Sequence, residues 1–146
     1  MNLERAIEIA VSAHKGVLDK GGNPYILHPL RVMLSLQTTD EKIVGVLHDV
    51  VEDAEGWDFQ RLKNEGFSSE ILDGLRAVTK LSEDEDYDAF IMRSLSNSIG
   101  RAVKIADIRD NLDVTRISTL TDKDLSRFNK YKKALSILVN FSQKGL

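Results

Sequence analysis

Four of the six residues in HDVVED, positions 48–53, are His48, Asp49, Glu52 and Asp53, and they interrupt an apolar series formed by Ile43, Val44, Leu47, Val50 and Val51. That series has helical spacing, so its stripe faces a core, and ionisable groups set beside it need compensation. On a helix, His48 and Glu52 share one face and Asp49 and Asp53 the neighbouring one. A solvated acidic face with an incidental histidine would read the same way, and two further positions argue for more. The chain has three histidines, and one of the others, His28, follows a Gly-rich turn. Asp107 lies in VKIADIRDNL, an amphipathic stretch in which Lys104 and Asn111 fall on its own face one turn away; a surface Asp paired with Lys104 is the ordinary alternative. Imidazole nitrogens mixed with carboxylate oxygens suit Mn2+, Fe2+ or Zn2+ better than Mg2+ or Ca2+. With no cysteine in the chain, any transition metal must be held by His, Asp or Glu. The remaining histidine, His14, reads as a packing or hydrogen-bonding residue near a helix end, and Trp57 as a core or staple residue.

The elements that must position these groups read as helices throughout. Leu3, Ala6, Ile7, Ala10 and Val11 have helical spacing and Gly16 is a natural stop. Residues 17–27 hold Gly21, Gly22, Asn23 and Pro24 and read as a loop. Pro29 suits a first helical position, with Leu30, Val32, Met33 and Leu36 following, which sets His28 at that helix's mouth. Thr38 with Glu41 forms a capping-box pattern for the helix that carries HDVVED. Shorter helices are expected over 58–65 and 69–79, and the acidic SEDED at 82–86 as a solvated connection. A helix around Tyr87, Phe90, Ile91 and Leu95 precedes the long one carrying Val103, Ala106 and Asp107. The last begins at Thr121, with Asp124 as its N-terminal signal. No stretch alternates with a strand's period of two, so the fold class is all-α, with about seven to eight helices.

A chain of 146 residues suits one domain, and 42% hydrophobic with 29% charged residues excludes disordered and fibrous classes. No apolar run reaches the ~20 residues of a membrane span, and charges fall where a signal peptide's apolar stretch would lie, so a cytoplasmic protein is expected. A net charge of −3 with scattered basic residues leaves no footprint for nucleic acid. An anionic small molecule would need a metal and a few placed cations.

AHKG at 13–16, NPYILHPLRV at 23–32, GVLHDVVED at 45–53, VTKL at 78–81 and VKIADIRDNL at 103–112 resemble, in order, the motifs of the hydrolase domain of the RelA/SpoT family, and especially its stand-alone small alarmone hydrolases. The resemblance spans most of the chain. It implies a single HD-type helical domain over residues 1–146 in which His28, His48, Asp49 and Asp107 hold one Mn2+, with Glu52 and Asp53 as the catalytic carboxylates. The implied activity is hydrolysis of the 3′-pyrophosphate of guanosine tetra- or pentaphosphate to GDP or GTP and pyrophosphate. Lys20, Asn111, Arg127 and Tyr131 match residues that contact the nucleotide in such proteins. One position departs: Asp19 stands where the family has an Arg over the guanine base, and an Asp supplies no cation to an aromatic ring. That departure favours a rival reading, a phosphatase using the same metal on another phosphorylated nucleotide. A non-catalytic nucleotide sensor is a third. On the first reading, Asp19→Arg is expected to lower KM.

Overall fold

The computed structural model describes residues 1–144, which form nine α-helices and one 3-10 turn with no strand among them. The helices are α1 (Leu3–His14), α2 (Leu27–Leu34), α3 (Thr39–Leu47), α4 (Val50–Asp53), α5 (Phe59–Asn64), α6 (Ser69–Ala77), α7 (Tyr87–Leu95), α8 (Ser98–Asn111) and α9 (Asp122–Lys144), with the 3-10 turn at Val114–Arg116. Local chemistry sets their starts. Asn2, Thr38, Asp58, Ser68, Asp86 and Asn97 each accept a hydrogen bond from a first-turn N–H, satisfying donors that the helix itself leaves free. Thr38 and Glu41 form a full capping box, and Thr121 and Asp124 exchange the same pair of bonds at the head of α9. No described helix is long and apolar enough to cross a membrane.

Two boundaries differ from the sequence expectation. α2 begins at Leu27 rather than Pro29, because the N–H groups of Leu27 and His28 already bond to the carbonyls of Pro24 and Tyr25. His28 and Pro29 are therefore buried in its first turn, where the missing proline N–H is tolerated. The single helix expected through HDVVED is two, α3 and α4, parted at His48 and Asp49. His48 turns its Nδ1 back to the Gly45 carbonyl at 2.6 Å and caps α3 with its own ring.

α3 is the central helix. Ile43, Val44, Gly45, Val46 and Leu47 are all buried, packed by α1, α2, α6 and α8. Each fully buried aliphatic there contributes about 1.5–3 kcal/mol. A second, smaller cluster of Ile91, Leu95, Ile108, Ala134 and Leu138 joins α7, α8 and α9. α8 belongs to both, sending Val103 into the first core and Ile108 into the second. It lies close against α6 and α7 because Gly100 has no side chain: a Cβ there would sit 2.7 Å from Ala77 Cβ and 3.4 Å from the Ser94 carbonyl.

Gly100→Ala should therefore destabilise the domain. Overpacking against Ala77 costs about 1–3 kcal/mol, against about 1 kcal/mol gained in helix propensity. Thermal denaturation followed by circular dichroism checks this, the expected result being a melting temperature lowered by a few degrees with no loss of helix at room temperature.

Candidate metal centre

The first turn of α2, the α3–α4 break and the middle of α8 meet at one point, and each brings an ionisable side chain to it. His28 comes from α2, His48 and Asp49 from the break, and Asp107 from α8. Ligand atoms of His28, His48 and Asp49 lie within 4.8 Å of one another. Asp107 reaches in from α8, its Oδ1 3.0 Å from His28 Nε2 and 3.4 Å from His48 Nε2. Asp49 Oδ2 is 3.1 Å from His48 Nε2 and 3.8 Å from His28 Nε2. Both histidines and Asp107 are buried.

The tautomers follow from the partners. The Gly45 carbonyl only accepts, so His48 Nδ1 carries a hydrogen. Asp110 Oδ2 lies 2.6 Å from His28 Nδ1, and that carboxyl is held at about 2, burial being outweighed by bonds from His28 and Arg31, so this nitrogen also donates. Were both rings neutral, as ligation of a metal requires, each would aim a bare Nε2 lone pair at carboxylate oxygens. His48 Nε2 has no hydrogen-bond partner although it is buried. Two lone pairs and two carboxylates facing each other repel unless a positive charge stands between them.

The ionisation of the four groups shows the same demand. Burial works against charge on His48, yet Asp49 and Asp107 hold its pKa well above the ordinary imidazole value; His28 is raised against burial by its bonds to Asp107 and Asp110. Burial raises both carboxyls, and the cations around them outweigh it: His48 holds Asp49 at about 2, while Lys104 and His48 hold Asp107 well below the usual range. A divalent transition metal fits this donor set of two nitrogens and two anionic oxygens.

The neighbours fix the orientation of the set. Tyr25 donates its hydroxyl proton to Asp49, Lys104 Nζ bonds Asp107 Oδ2 at 3.1 Å, and Asn111 Nδ2 bonds Asp107 Oδ1 at 3.0 Å. The Asp107–Lys104 pair offered by the ordinary reading thus exists, but buried in the protein rather than on its surface. Sequence reasoning missed Tyr25 and Asp110. Each lies three residues from a candidate ligand, Tyr25 before His28 and Asp110 after Asp107, and that one-turn spacing was the available signal. His14 is buried against Tyr25, with ring centroids 5.1 Å apart, and packs as expected. Trp57 packs on the main core with the Arg61 guanidinium over its ring.

His28 also lines a cleft of about 510 Å³. Lys20, Asn111, Arg127 and Tyr131 line it too, so the four side chains expected at the nucleotide and one expected at the metal share a single cavity, of a size suited to a small ligand. Arg31 and Arg116, not singled out from sequence, are in its wall. Glu52 and Asp53 are not; they project from α4, one turn beyond Asp49. Glu52 Oε1 accepts the Lys80 backbone N–H, so its carboxylate is tied to the loop after α6. Asp53 is pushed up to about 6 by partial desolvation and by Asp49 and Glu52.

No family model matches the chain. Among curated proteins it is 40% identical over 83 residues to the guanosine-3′,5′-bis(diphosphate) 3′-pyrophosphohydrolase of Borreliella burgdorferi, over 54% of this chain and 12% of that protein. It is 30% identical over 146 residues to the GTP pyrophosphokinase of Streptomyces coelicolor, over 93% of this chain and 16% of that protein. The chain thus spans less than a fifth of the length of these curated relatives. A solved structure of a metazoan SpoT orthologue, described as hydrolysing ppGpp, matches it with a TM-score of 0.77 at 21% identity, over 99% of this chain and 96% of that one. The chain has the HD-type helical fold of that SpoT orthologue. In this HD domain the departure at Asp19 has a structural reason: Asp19 Oδ1 accepts the N–H groups of Gly21 and Asn23, both at 2.9 Å, and shapes the loop that carries Lys20.

Two outcomes follow for the HD domain. His48→Ala should abolish divalent-metal binding, read by calorimetric titration, while circular dichroism shows the helices retained. Contrary to the expectation from sequence, Asp19→Arg should raise rather than lower the nucleotide KM, because it removes the acceptor for two loop N–H groups, whereas Asp19→Asn, which keeps an acceptor, should leave KM within about threefold.

Proposed function

We propose that this domain hydrolyses the 3′-pyrophosphate of guanosine tetra- or pentaphosphate with a divalent metal, Mn2+ in the first instance, giving GDP or GTP and pyrophosphate. The observation that carries the reading is the convergence of His28, His48, Asp49 and Asp107 beside a cation-bearing cleft that His28 itself lines. The Borreliella relative is a guanosine-3′,5′-bis(diphosphate) 3′-pyrophosphohydrolase and the metazoan one is described as hydrolysing ppGpp, which supports the same substrate.

His28, His48, Asp49 and Asp107 would hold the ion. When bound, it supplies Lewis acidity to a phosphoryl oxygen and to water. The roles of the two carboxylates divide on their surroundings. Asp53, raised toward neutrality and without a hydrogen bond like that of Glu52 to the Lys80 N–H, suits a general base that takes the proton of the attacking water. Glu52 orients that water from a fixed position. As water oxygen bonds to phosphorus, the bond from phosphorus to the ribose 3′ oxygen breaks, and Asp53 returns the proton to that oxygen. Lys20 and Arg127 offset charge on the phosphates that do not react, and Asn111 and Tyr131 hold the nucleotide in the cleft.

The engaged carboxylate at Asp19 leaves no cation at that place for a base, which keeps hydrolysis of another phosphorylated nucleotide as the second reading. Product identification separates the two: pyrophosphate from ppGpp supports the first, and inorganic phosphate from another nucleotide with ppGpp inert supports the second. Inertness toward all of them with metal bound would point to a sensor. For an active enzyme, Asp53→Asn and Glu52→Gln should each lower kcat by about 100-fold or more, with the larger loss at Asp53. Metal content measured on the same samples should be unchanged.

A further inference from the structure

Two arginines in the cleft wall, Arg31 and Arg116, stand where a phosphate-binding role would ordinarily be assumed. Both are already engaged by one carboxylate. Asp110 Oδ1 accepts from Arg31 Nε at 2.8 Å and Asp110 Oδ2 from Arg31 Nη2 at 3.1 Å, the two-pronged geometry of a strong guanidinium–carboxylate pair. Arg116 Nη2 bonds the Asp110 backbone carbonyl at 2.6 Å and approaches Asp110 Oδ2 at 3.4 Å, while its Nη1 bonds Asp113 Oδ2 at 3.0 Å. The same Asp110 Oδ2 accepts the Nδ1 proton of His28 at 2.6 Å. Asp110 is thus a hub on α8, three residues from Asp107, joining two cleft cations to the ring whose other nitrogen faces the metal centre.

We infer that Asp110 is a positioning residue for the metal centre, fixing His28 with its Nε2 toward the ion, and that Arg31 and Arg116 serve to hold Asp110 rather than to bind substrate phosphate. The physical reason is competition. A carboxylate beside a lone imidazole could swing to another donor or draw the ring after it; with three donor residues from two elements, α2 and the 3-10 turn, its oxygens are fixed, and the ring is fixed through them. A ligating imidazole held in this way binds metal more tightly, and loss of the carboxylate that holds it weakens binding by about 10–100-fold. The inference rests on the proposed role of His28 as a ligand, but its orientation can be read without any metal.

The test uses the whole chain in two measurements. In the metal-free protein, proton and nitrogen NMR of the histidine rings should show a strongly downfield, slowly exchanging Nδ1 proton on His28 that disappears in Asp110→Ala and persists in Asp110→Glu. With Mn2+ alone as the probe, calorimetric titration should show about 10–100-fold weaker binding in Asp110→Ala, partial recovery in Asp110→Glu, and a smaller loss in Arg31→Gln and Arg116→Gln. At saturating Mn2+ the two arginine variants should keep a nucleotide KM near that of the wild type. An Asp110→Ala protein that retains the His28 proton signal and wild-type Mn2+ affinity overturns the inference. So do arginine variants with intact metal affinity and a KM raised tenfold, because those arginines would then be substrate ligands. A wild-type protein that binds no metal would instead overturn the functional reading, and the His28 signal would still decide how Asp110 acts.

Discussion

Like charges and lone pairs forced into one buried volume need a cation, and most of the structure around residues 28, 48, 49 and 107 can be understood as meeting or surviving that need. Removing an ion from water costs several kcal/mol even after relaxation. A fully buried aliphatic side chain returns about 1.5–3 kcal/mol. One helix cannot offset several such groups alone, and the unbroken burial of Ile43 to Leu47, with four other helices packed around it, is what the position of His48 demands. Where apolar packing does not reach, hydrogen bonds take over: Gly45, Tyr25, Lys104, Asn111 and Asp110 each satisfy one side of a central group and leave the inward side open.

That inward opening depends on the break between α3 and α4. Had the helix run on through residue 49, the Gly45 carbonyl would have remained in the main-chain ladder. The ring of His48 takes it instead. The side chain that disrupts the helix is thereby the one that the disruption orients. α8 supplies the opposite wall, and its depth is set by Gly100 against Ala77, so a contact with no chemistry of its own determines how close Asp107 comes to the two rings.

Much of this was legible in the sequence because it rests on local rules. Helical periodicity gave the class, and the caps at Thr38 and Thr121 follow from side chains that bond to backbone within one turn. The set of four central residues came from motif resemblance, and the structure brings all four together. The rest depends on groups far apart in the chain. Nothing near Asp110 announces that it will meet His28, 82 positions away, or that Arg31 will reach across to it. The helix break was missed because the apolar stripe continues through Val50 and Val51 as if no interruption occurred. Asp19 looked like a lost cation because only the side chain's charge was considered, and its bonds to the Gly21 and Asn23 N–H groups are set by loop geometry.

The division of the interior into a larger and a smaller apolar cluster has a consequence for how the cleft exchanges its contents. Three of the four central side chains stand on α2, α3 and the head of α4, anchored in the larger cluster, whereas Arg127 and Tyr131 stand on α9, whose described residues pack on the smaller one. Local opening takes first those segments with the fewest buried apolar contacts. Departure of α9 would therefore remove one wall of the cavity while its floor stays folded, and a bound molecule would leave without the costly reassembly of the buried charges beneath it.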